Sequence, residues 1–269
     1  MLLTITLATA SLAHASPTPI TPPTAISRPV EEDKNTSDSL GETVRIVTRD
    51  KVALSGSYFA PRTRGKAKVP GAILVHDAGS NRAALAEMAV YLQKKGFGVL
   101  TLDLRGHGES VDEDLDWSKM EDKAKESAWA FAGRDLTAAG SYLLGRKEIH
   151  AANLSLVGIG DGGALALRHA IDDDATRAVV LVGPSGEAQG FDMTEGICDL
   201  GGLPCLIVAP KDGRKLAEGM RDEGHDANDD YEYVTVQVMK SASDELMGDK
   251  RLNSSFSKWL TDEVMDKDG

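Results

Sequence analysis

The stretch LSLVGIGDGGALAL (Leu154–Leu167) decides the fold. It begins with apolar and small residues, as in a strand that is buried on both faces, and it ends with the pattern of a buried helix. The glycines between these two parts predict a tight turn from strand to helix. A turn in this setting usually presents one reactive side chain, but here its apex is Gly160. The stretch therefore predicts a strand–turn–helix unit with no reactive group at its centre.

Apolar runs of strand length alternate with helical patterns on both sides of this unit. The segments ETVRIVT and VALSGSYFA alternate in polarity and predict an antiparallel hairpin around RDK. Further strands are predicted at PGAILVH, FGVLTLD, NLSLVG, RAVVLVG, LPCLIVAP and YEYVTVQVM. Helices are predicted over residues 82–95, 126–144, 161–171 and 216–220, with a last helix through Trp259. The alternation predicts an α/β fold with an eight-stranded, mostly parallel sheet and helices on both faces.

Four segments resemble motifs of the α/β-hydrolase superfamily, and they occur in the superfamily's order. ILVHDAGSNR resembles the HG-x-G loop, and LDLRGHGES resembles the D-x-R-G-x-G-x-S stretch after the next strand. LVGIGDGGALAL resembles the nucleophile elbow, and LPCLIVAPKD resembles the strand that ends in the acid of the triad. The resemblance covers Glu42 to Val264. It implies an α/β-hydrolase fold without a large lid, most similar to dienelactone hydrolases and serine aminopeptidases.

In this superfamily an elbow serine attacks a carbonyl carbon, a histidine takes the serine's proton, and an acid orients the histidine. The resemblance places Gly160 at the serine position, Asp212 at the acid and Asp244 at the histidine. Gly160 offers no nucleophile, and an aspartate is a far weaker base than histidine at neutral pH. Asp212 could equally cap the helix that follows it. The resemblance therefore implies a vestigial triad in a protein that has lost serine-hydrolase activity.

A second alignment of the elbow makes Asp161 the nucleophile, as in dehalogenase-like relatives. It puts Ile159 where the turn needs a small residue. An active esterase- or dehalogenase-like enzyme of this kind needs a histidine from elsewhere in the chain. His225 in the loop DEGHDANDD is the candidate base, although a solvated loop histidine is the simpler interpretation.

The superfamily geometry would also bring four aspartates to one cleft at the strand ends: Asp77, Asp161, Asp212 and Asp244. Asp77, Ala78 and Asp161 are therefore the candidate binding residues, for a small molecule or a protein whose identity stays open. Clustered carboxylates would raise at least one pKa or attract Ca²⁺ or Mg²⁺. In the alternative, Asp161 caps its helix and the four do not meet. No resident cofactor or metal is predicted.

The two cysteines, Cys198 and Cys205, allow two interpretations. In an exported protein they could close a small disulfide loop. Otherwise they are free thiols in and beside a strand.

The chain of 269 residues carries a formal net charge of −12, which argues against nucleic acid or anionic lipid as a partner. Residues 1–15 are apolar and small, and Ala13-His14-Ala15 resembles a cleavage site, which predicts a signal peptide and a periplasmic or extracellular protein. No Lys or Arg precedes the apolar run, which leaves the true start of the signal open. No other segment reaches the ~18 apolar residues of a transmembrane helix. Residues 16–41 predict a disordered tether, 42–264 the hydrolase-like domain and 265–269 a tail.

Overall fold

A computed structural model describes residues 41–62, 67–228 and 232–265. The predicted signal peptide, nearly all of the predicted tether and residues 266–269 of the predicted tail lie outside the described residues. Eight strands of the described residues form one sheet: β1 (Glu42–Val47), β2 (Ala53–Phe59), β3 (Val69–Val75), β4 (Gly98–Leu102), β5 (Ile149–Ile159), β6 (Thr176–Val182), β9 (Cys205–Ala209) and β10 (Val234–Val238). Their order across the sheet is β1-β2-β4-β3-β5-β6-β9-β10. Strand β2 runs antiparallel to its neighbours β1 and β4, and all other pairs are parallel. The predicted sheet is confirmed.

Seven α-helices accompany the sheet in the described residues. They are α1 (Ala86–Lys94), α2 (Asp122–Phe131), α3 (Gly133–Leu144), α4 (Asp161–Ile171), α5 (Met193–Cys198), α6 (Arg214–Ala227) and α7 (Leu252–Val264). Successive residues of a buried strand point to opposite faces, so Ile73 joins one apolar core and Leu74 joins the other. Helices α1 and α7 cover the core that contains Leu74, and α2 to α6 cover the core that contains Ile73. Helices therefore pack on both faces, as predicted.

Several element boundaries differ from the prediction. The helix predicted over 126–144 is two helices, which meet at Ala132 just before Gly133, a residue that weakens a continuous helix. The helix predicted over 216–220 extends from Arg214 to Ala227, so His225 lies in a helix and not in a loop. The connection from β6 to β9 contains a small hairpin, β7 (Glu187–Ala188) and β8 (Phe191–Asp192), and helix α5. These elements are too short to leave a periodic signal.

Both cysteines are free thiols, so the disulfide alternative is not realised. Cys205 is fully buried in β9, and this burial raises the pKa of its thiol to about 12. Cys198 is half-buried at the end of α5, and its Sγ contacts the carbonyl oxygen of Glu223 at 3.6 Å. Neither thiol is therefore set up as a nucleophile.

Candidate active-site cleft

The turn between β5 and α4 keeps the geometry of a nucleophile elbow. Gly160 joins the two elements with φ 51° and ψ −123°, and Asp161 is the first residue of the helix. A residue with a Cβ is strained in this region, whereas glycine is not. The tight turn predicted between strand and helix, with Gly160 at its apex, is confirmed. Because the left-handed residue is Gly160, the alignment that makes Asp161 the elbow residue does not match the backbone.

The flanking glycines are required by close packing. A Cβ on Gly158 would lie 2.4 Å from the carbonyl oxygen of Gly162, and a Cβ on Gly162 would lie 2.3 Å from the carbonyl oxygen of His76. Helix α4 therefore starts in direct backbone contact with the end of β5 and with the loop that follows β3. This contact fixes the elbow beside the HG-like loop.

The side chain of Asp77 occupies the centre of this arrangement. Its Oδ1 accepts the backbone N–H of Asp161 at 2.8 Å and that of Ala78 at 2.9 Å. In α/β hydrolases the residue after the nucleophile and the loop after the third strand supply the two amides of the oxyanion hole. A Cβ on Gly160 would lie 2.5 Å from the same Oδ1. The carboxylate thus occupies the space of a nucleophile side chain and also accepts the hydrogen bonds of the two oxyanion-hole amides.

The electrostatics of Asp77 follow from this position. The residue has solvent on one side, but its carboxyl group is partly desolvated against the elbow. This desolvation raises the pKa of Asp77, and the neighbouring charge of Asp161 raises it further. The two amide donors act in the opposite direction because they stabilise the ionised form. Desolvation of the carboxyl group and the charge of Asp161 outweigh them, and the pKa of Asp77 lies above its ordinary value.

The hairpin β7–β8 reaches the elbow through one side chain. Gln189 and Gly190 form its turn with φ 49° and 77°, the left-handed pair typical of a type I′ hairpin. The Nε2 group of Gln189 donates to Oδ2 of Asp161 at 2.8 Å. Gln189 is not among the site residues predicted from the sequence. The dipeptide Gln-Gly between Ala188 and Phe191 was the available signal, but it is weaker than Asn-Gly.

The positions of the acid and the histidine meet as the resemblance implies, but without a triad. Oδ2 of Asp212 accepts a hydrogen bond from Oγ of Ser243 at 2.9 Å, and Ser243 directly precedes the exposed Asp244. Asp212 does not cap the following helix, whose N-cap is Gly213 without a side-chain hydrogen bond.

The structure shows two contacts among the positions of the four aspartates. Asp77 and Asp161 lie together at the elbow, while Asp212 contacts the turn that carries Asp244. Within the described ranges, no group of three or more His, Cys, Asp or Glu side chains could hold a metal ion. A Ca²⁺ or Mg²⁺ site built from the four carboxylates is therefore not supported.

The structure does not bring His225 to Asp161. His225 lies in the last turn of α6, and its Nε2 accepts the N–H of Val234 at 3.2 Å. Val234 opens β10, whereas Asp161 follows the carboxyl end of β5, and the strands from β5 to β10 in the sheet run parallel. His225 therefore lies at the edge of the sheet formed by the amino ends of these strands, and Asp161 lies at the opposite edge, formed by their carboxyl ends. The alternative in which His225 acts as the base for Asp161 is therefore wrong.

Two buried histidines lie near the elbow, and both rings are fully engaged. Nδ1 of His76 donates to the carbonyl oxygen of Asp77 at 2.7 Å, and its Nε2 accepts the N–H of Leu104 at 3.1 Å. Nδ1 of His107 donates to the carbonyl oxygen of Arg105 at 3.0 Å, and its Nε2 accepts the N–H of Gly79 at 3.1 Å. Burial lowers the pKa of His76 to about 4 and also lowers that of His107. Both rings are neutral, and their hydrogen bonds connect the loop after β3 with the loop after β4.

The stretch after β4 is likewise structural. The buried carboxylate of Asp103 accepts the N–H groups of Arg82 and Glu109 at 2.8 and 2.9 Å, and it pairs with the guanidinium of Arg82. Oγ of Ser110 donates to the carbonyl oxygen of Asp103 and accepts the N–H of Ser55. The hydroxyl of Ser110 is therefore engaged in hydrogen bonds that stabilise the loop, and it does not replace the missing nucleophile.

Comparison with known proteins agrees with this geometry. The model of a family described as "Alpha/beta hydrolase family" matches residues 72–257. The chain belongs to the alpha/beta hydrolase family. Similar solved structures include an esterase of Pyrococcus furiosus, with a TM-score of 0.63 and 16% identity over 83% of this chain and 91% of that chain. A ferulic acid complex of Est1E from Butyrivibrio proteoclasticus has a TM-score of 0.65 and 12% identity, over 82% of this chain and 99% of that chain. At these identities the likeness shows the fold alone.

Two curated relatives, both uncharacterized proteins of Mycobacterium tuberculosis, come from strains CDC 1551 / Oshkosh and H37Rv. Each is 29% identical over 144 residues, which is 54% of this chain. This alpha/beta hydrolase family member spans about half of their length, 46%. Across the part of the chain that the structure describes, no helix has the length and apolar character needed to cross a bilayer.

Proposed function

We propose that this family member does not hydrolyse esters and uses its cleft to bind a small molecule or a protein segment. The observation that carries the proposal is Gly160 at the apex of the elbow, with φ 51°. Acyl transfer in this fold needs a nucleophile presented at that apex. The described residues present none there.

The residues described at the histidine position and beside the elbow support the same proposal. Asp244, at the position of the histidine, is exposed and acidic. His76 and His107, the buried histidines beside the elbow, have both ring nitrogens in hydrogen bonds with loop backbone. A general base must reach the proton that it removes and must have a nitrogen or oxygen free to accept it. Neither histidine offers one.

The contacts of Asp161 weigh against an Asp161-dependent hydrolase. Asp161 is the first residue of α4, its Oδ2 accepts from Gln189, and its N–H is bound by Asp77. His225 lies at the opposite edge of the sheet. The covalent ester that a carboxylate nucleophile forms must then be hydrolysed by an activated water, and these contacts supply no group to activate one.

The test is hydrolysis of short p-nitrophenyl esters together with labelling by a fluorophosphonate probe. We expect turnover at the buffer rate and no stoichiometric label. An Asp161→Ala variant, assayed in parallel, controls for an aspartate nucleophile. Turnover by the wild type that disappears in Asp161→Ala would restore the aspartate mechanism. Turnover that survives it, or stoichiometric labelling, would contradict the proposal outright.

We also propose that the protein is exported, on the sequence of residues 1–15 with its small residues at Ala13 and Ala15. Fusion of residues 1–41 to alkaline phosphatase in a bacterial host tests this proposal. We expect periplasmic phosphatase activity and a mass that indicates cleavage after Ala15. A fusion with Ala13 and Ala15 both replaced by Phe is the matched control, since bulky residues block cleavage. Cytoplasmic, inactive phosphatase in the parent fusion would contradict export.

A further inference from the structure

We propose that Asp77 is an internal occupant of the oxyanion hole, whose side-chain carboxylate keeps small anions away from the two amides at the elbow. This contact is autoinhibitory in character. It blocks the oxyanion donors, whereas Gly160 removes the nucleophile, so the two features impair different parts of the elbow.

The distances in the contact match those expected around a bound oxyanion. A single oxygen, Oδ1 of Asp77, accepts both amides, Asp161 N–H at 2.8 Å and Ala78 N–H at 2.9 Å. Donors at about 2.7–3.1 Å are those expected around the oxyanion of a tetrahedral intermediate. A carboxylate oxygen carries a comparable negative charge, so it satisfies these donors as the oxyanion would.

The contact is tertiary and does not arise from local capping alone. Asp77 and Asp161 are 84 residues apart in the chain and meet because Gly162 packs on the backbone of His76. The carboxylate also lies at the amino end of α4, an 11-residue helix whose dipole favours a negative charge there. An external anion would need the same two amides and the same end of the helix. It would therefore have to displace Asp77.

The surroundings of Asp77 identify the charge that matters. Asp161 on α4 is the charged neighbour that acts on it, and this charge disfavours a second anion. On the hairpin, the facing group is the uncharged carboxamide of Gln189, which is bound to Asp161. Within the loop, His76 is neutral. A variant that removes the Asp77 carboxylate still leaves the Asp161 charge, so the experiment includes an Asp161→Asn background.

Acetate titration of the full ¹⁵N-labelled chain tests the proposal, with the backbone amide signals of residues 78 and 161 as the readout. In Asp77→Ala/Asp161→Asn we expect both signals to shift saturably with acetate, at a concentration roughly tenfold lower than for any shift in Asp161→Asn alone. Asp77→Asn/Asp161→Asn is the matched control, since its carboxamide oxygen still accepts both amides. It should behave like Asp161→Asn. Equal acetate responses in all three variants, or none in the alanine variant, would overturn the proposal.

A second measurement does not depend on the alanine variant's folding. In Asp161→Asn, the backbone amide shifts of residues 78 and 161 should titrate together with pH, because both amides donate to one carboxyl group. Asp77→Asn in the same background should abolish this shared titration. Different titration midpoints for the two amides, or an unchanged titration in Asp77→Asn/Asp161→Asn, would show that Asp77 does not accept hydrogen bonds from both amides. Ester turnover is not measured in either experiment, so their outcome is independent of the proposed loss of hydrolysis.

Discussion

The carboxylate of Asp77 stands where a side chain on Gly160 would stand, because a Cβ at Gly160 would be 2.5 Å from its Oδ1. The glycine and the aspartate are therefore sterically coupled. Because residue 160 has no side chain, the carboxylate of Asp77 takes the nucleophile's place and accepts the hydrogen bonds of the amides of Ala78 and Asp161.

Gly160→Ser should leave the protein without esterase activity and less stable. A side chain at this φ is strained by ~1–3 kcal/mol, and here it also meets Asp77. Adding Asp77→Ala should recover part of the loss, with a coupling free energy above ~0.5 kcal/mol in a double-mutant cycle by urea unfolding. Gly219→Ser is the matched control, because a Cβ at Gly219 meets nothing within 4 Å.

Additive effects of the two substitutions would contradict the steric coupling. Measurable ester turnover by Gly160→Ser alone would show that a base does reach the elbow. In that case the engagement of His76 and His107 would not be what prevents hydrolysis.

Gly162→Ala should destabilise the fold although it leaves the residue at the apex of the elbow, Gly160, unsubstituted. Its Cβ would lie 2.3 Å from the backbone oxygen of His76, and backbone cannot move as a flexible side chain does. Overpacking of this kind costs about 1–3 kcal/mol in the free energy of unfolding. The matched control is Gly219→Ala inside α6, which should stabilise by roughly 0.5–1 kcal/mol because alanine is the better helix former. Equal effects of the two substitutions in urea unfolding would contradict the close contact.

The sequence predicted the sheet, the elbow and Gly160 because each leaves a local signal. Buried parallel strands are continuous apolar runs, and a glycine at a strand–helix junction indicates left-handed backbone. Helix ends were less predictable: α6 is longer than predicted because its polar face hides the periodicity beyond Met220. The hairpin was missed because strands of two residues have no periodicity at all.

The role of Asp77 could not be read from the sequence, although its position in the cleft could. The sequence placed Asp77 and Asp161 near each other, but which oxygen accepts which amide depends on contacts between residues 84 positions apart. The same holds for His225, whose placement at the opposite sheet edge is a consequence of helix length. Loop-like composition around it predicted a loop instead.

Gln189 should stabilise the hairpin through Asp161 and not through its backbone. Gln189→Gly removes the bond to Asp161 but relieves the left-handed backbone, so its effect on Tm should be small. Gln189→Glu keeps the length and sets a second carboxylate against Asp161, so Tm at pH 7 should fall further. This difference should shrink at pH 4, where carboxylates begin to protonate. Equal Tm values for the two variants at pH 7 would mean that the bond is not formed in solution.

Thiol titration should distinguish the two cysteines. With Ellman's reagent, the unfolded chain should show two thiols without added reductant, since both are free. In the native protein Cys205 should not react, because it is fully buried and its pKa is raised to about 12. Half-buried Cys198 should react slowly, and Cys198→Ser should remove that reaction. No free thiol in the unfolded chain would instead indicate a disulfide.

The pH dependence of stability should carry the signature of Asp77. Because its pKa is raised in the folded state, folding favours the protonated form. This contribution is complete below the unfolded pKa of ~3.9 and is lost as the pH rises through the folded pKa. Asp77→Asn is neutral at every pH and keeps an oxygen acceptor for both amides, so it should retain the contribution.

We therefore expect Asp77→Asn to match the wild type in Tm below about pH 4 and to exceed it at pH 7. Asp212→Asn is the control, because Asp212 is exposed and bound to Ser243 away from the two amides. Thermal unfolding followed by circular dichroism from pH 3.5 to 7 measures both variants against the wild type. A Tm for Asp77→Asn that falls below the wild type as the pH rises would mean that the two amide bonds outweigh the desolvation of the carboxylate and the repulsion from Asp161.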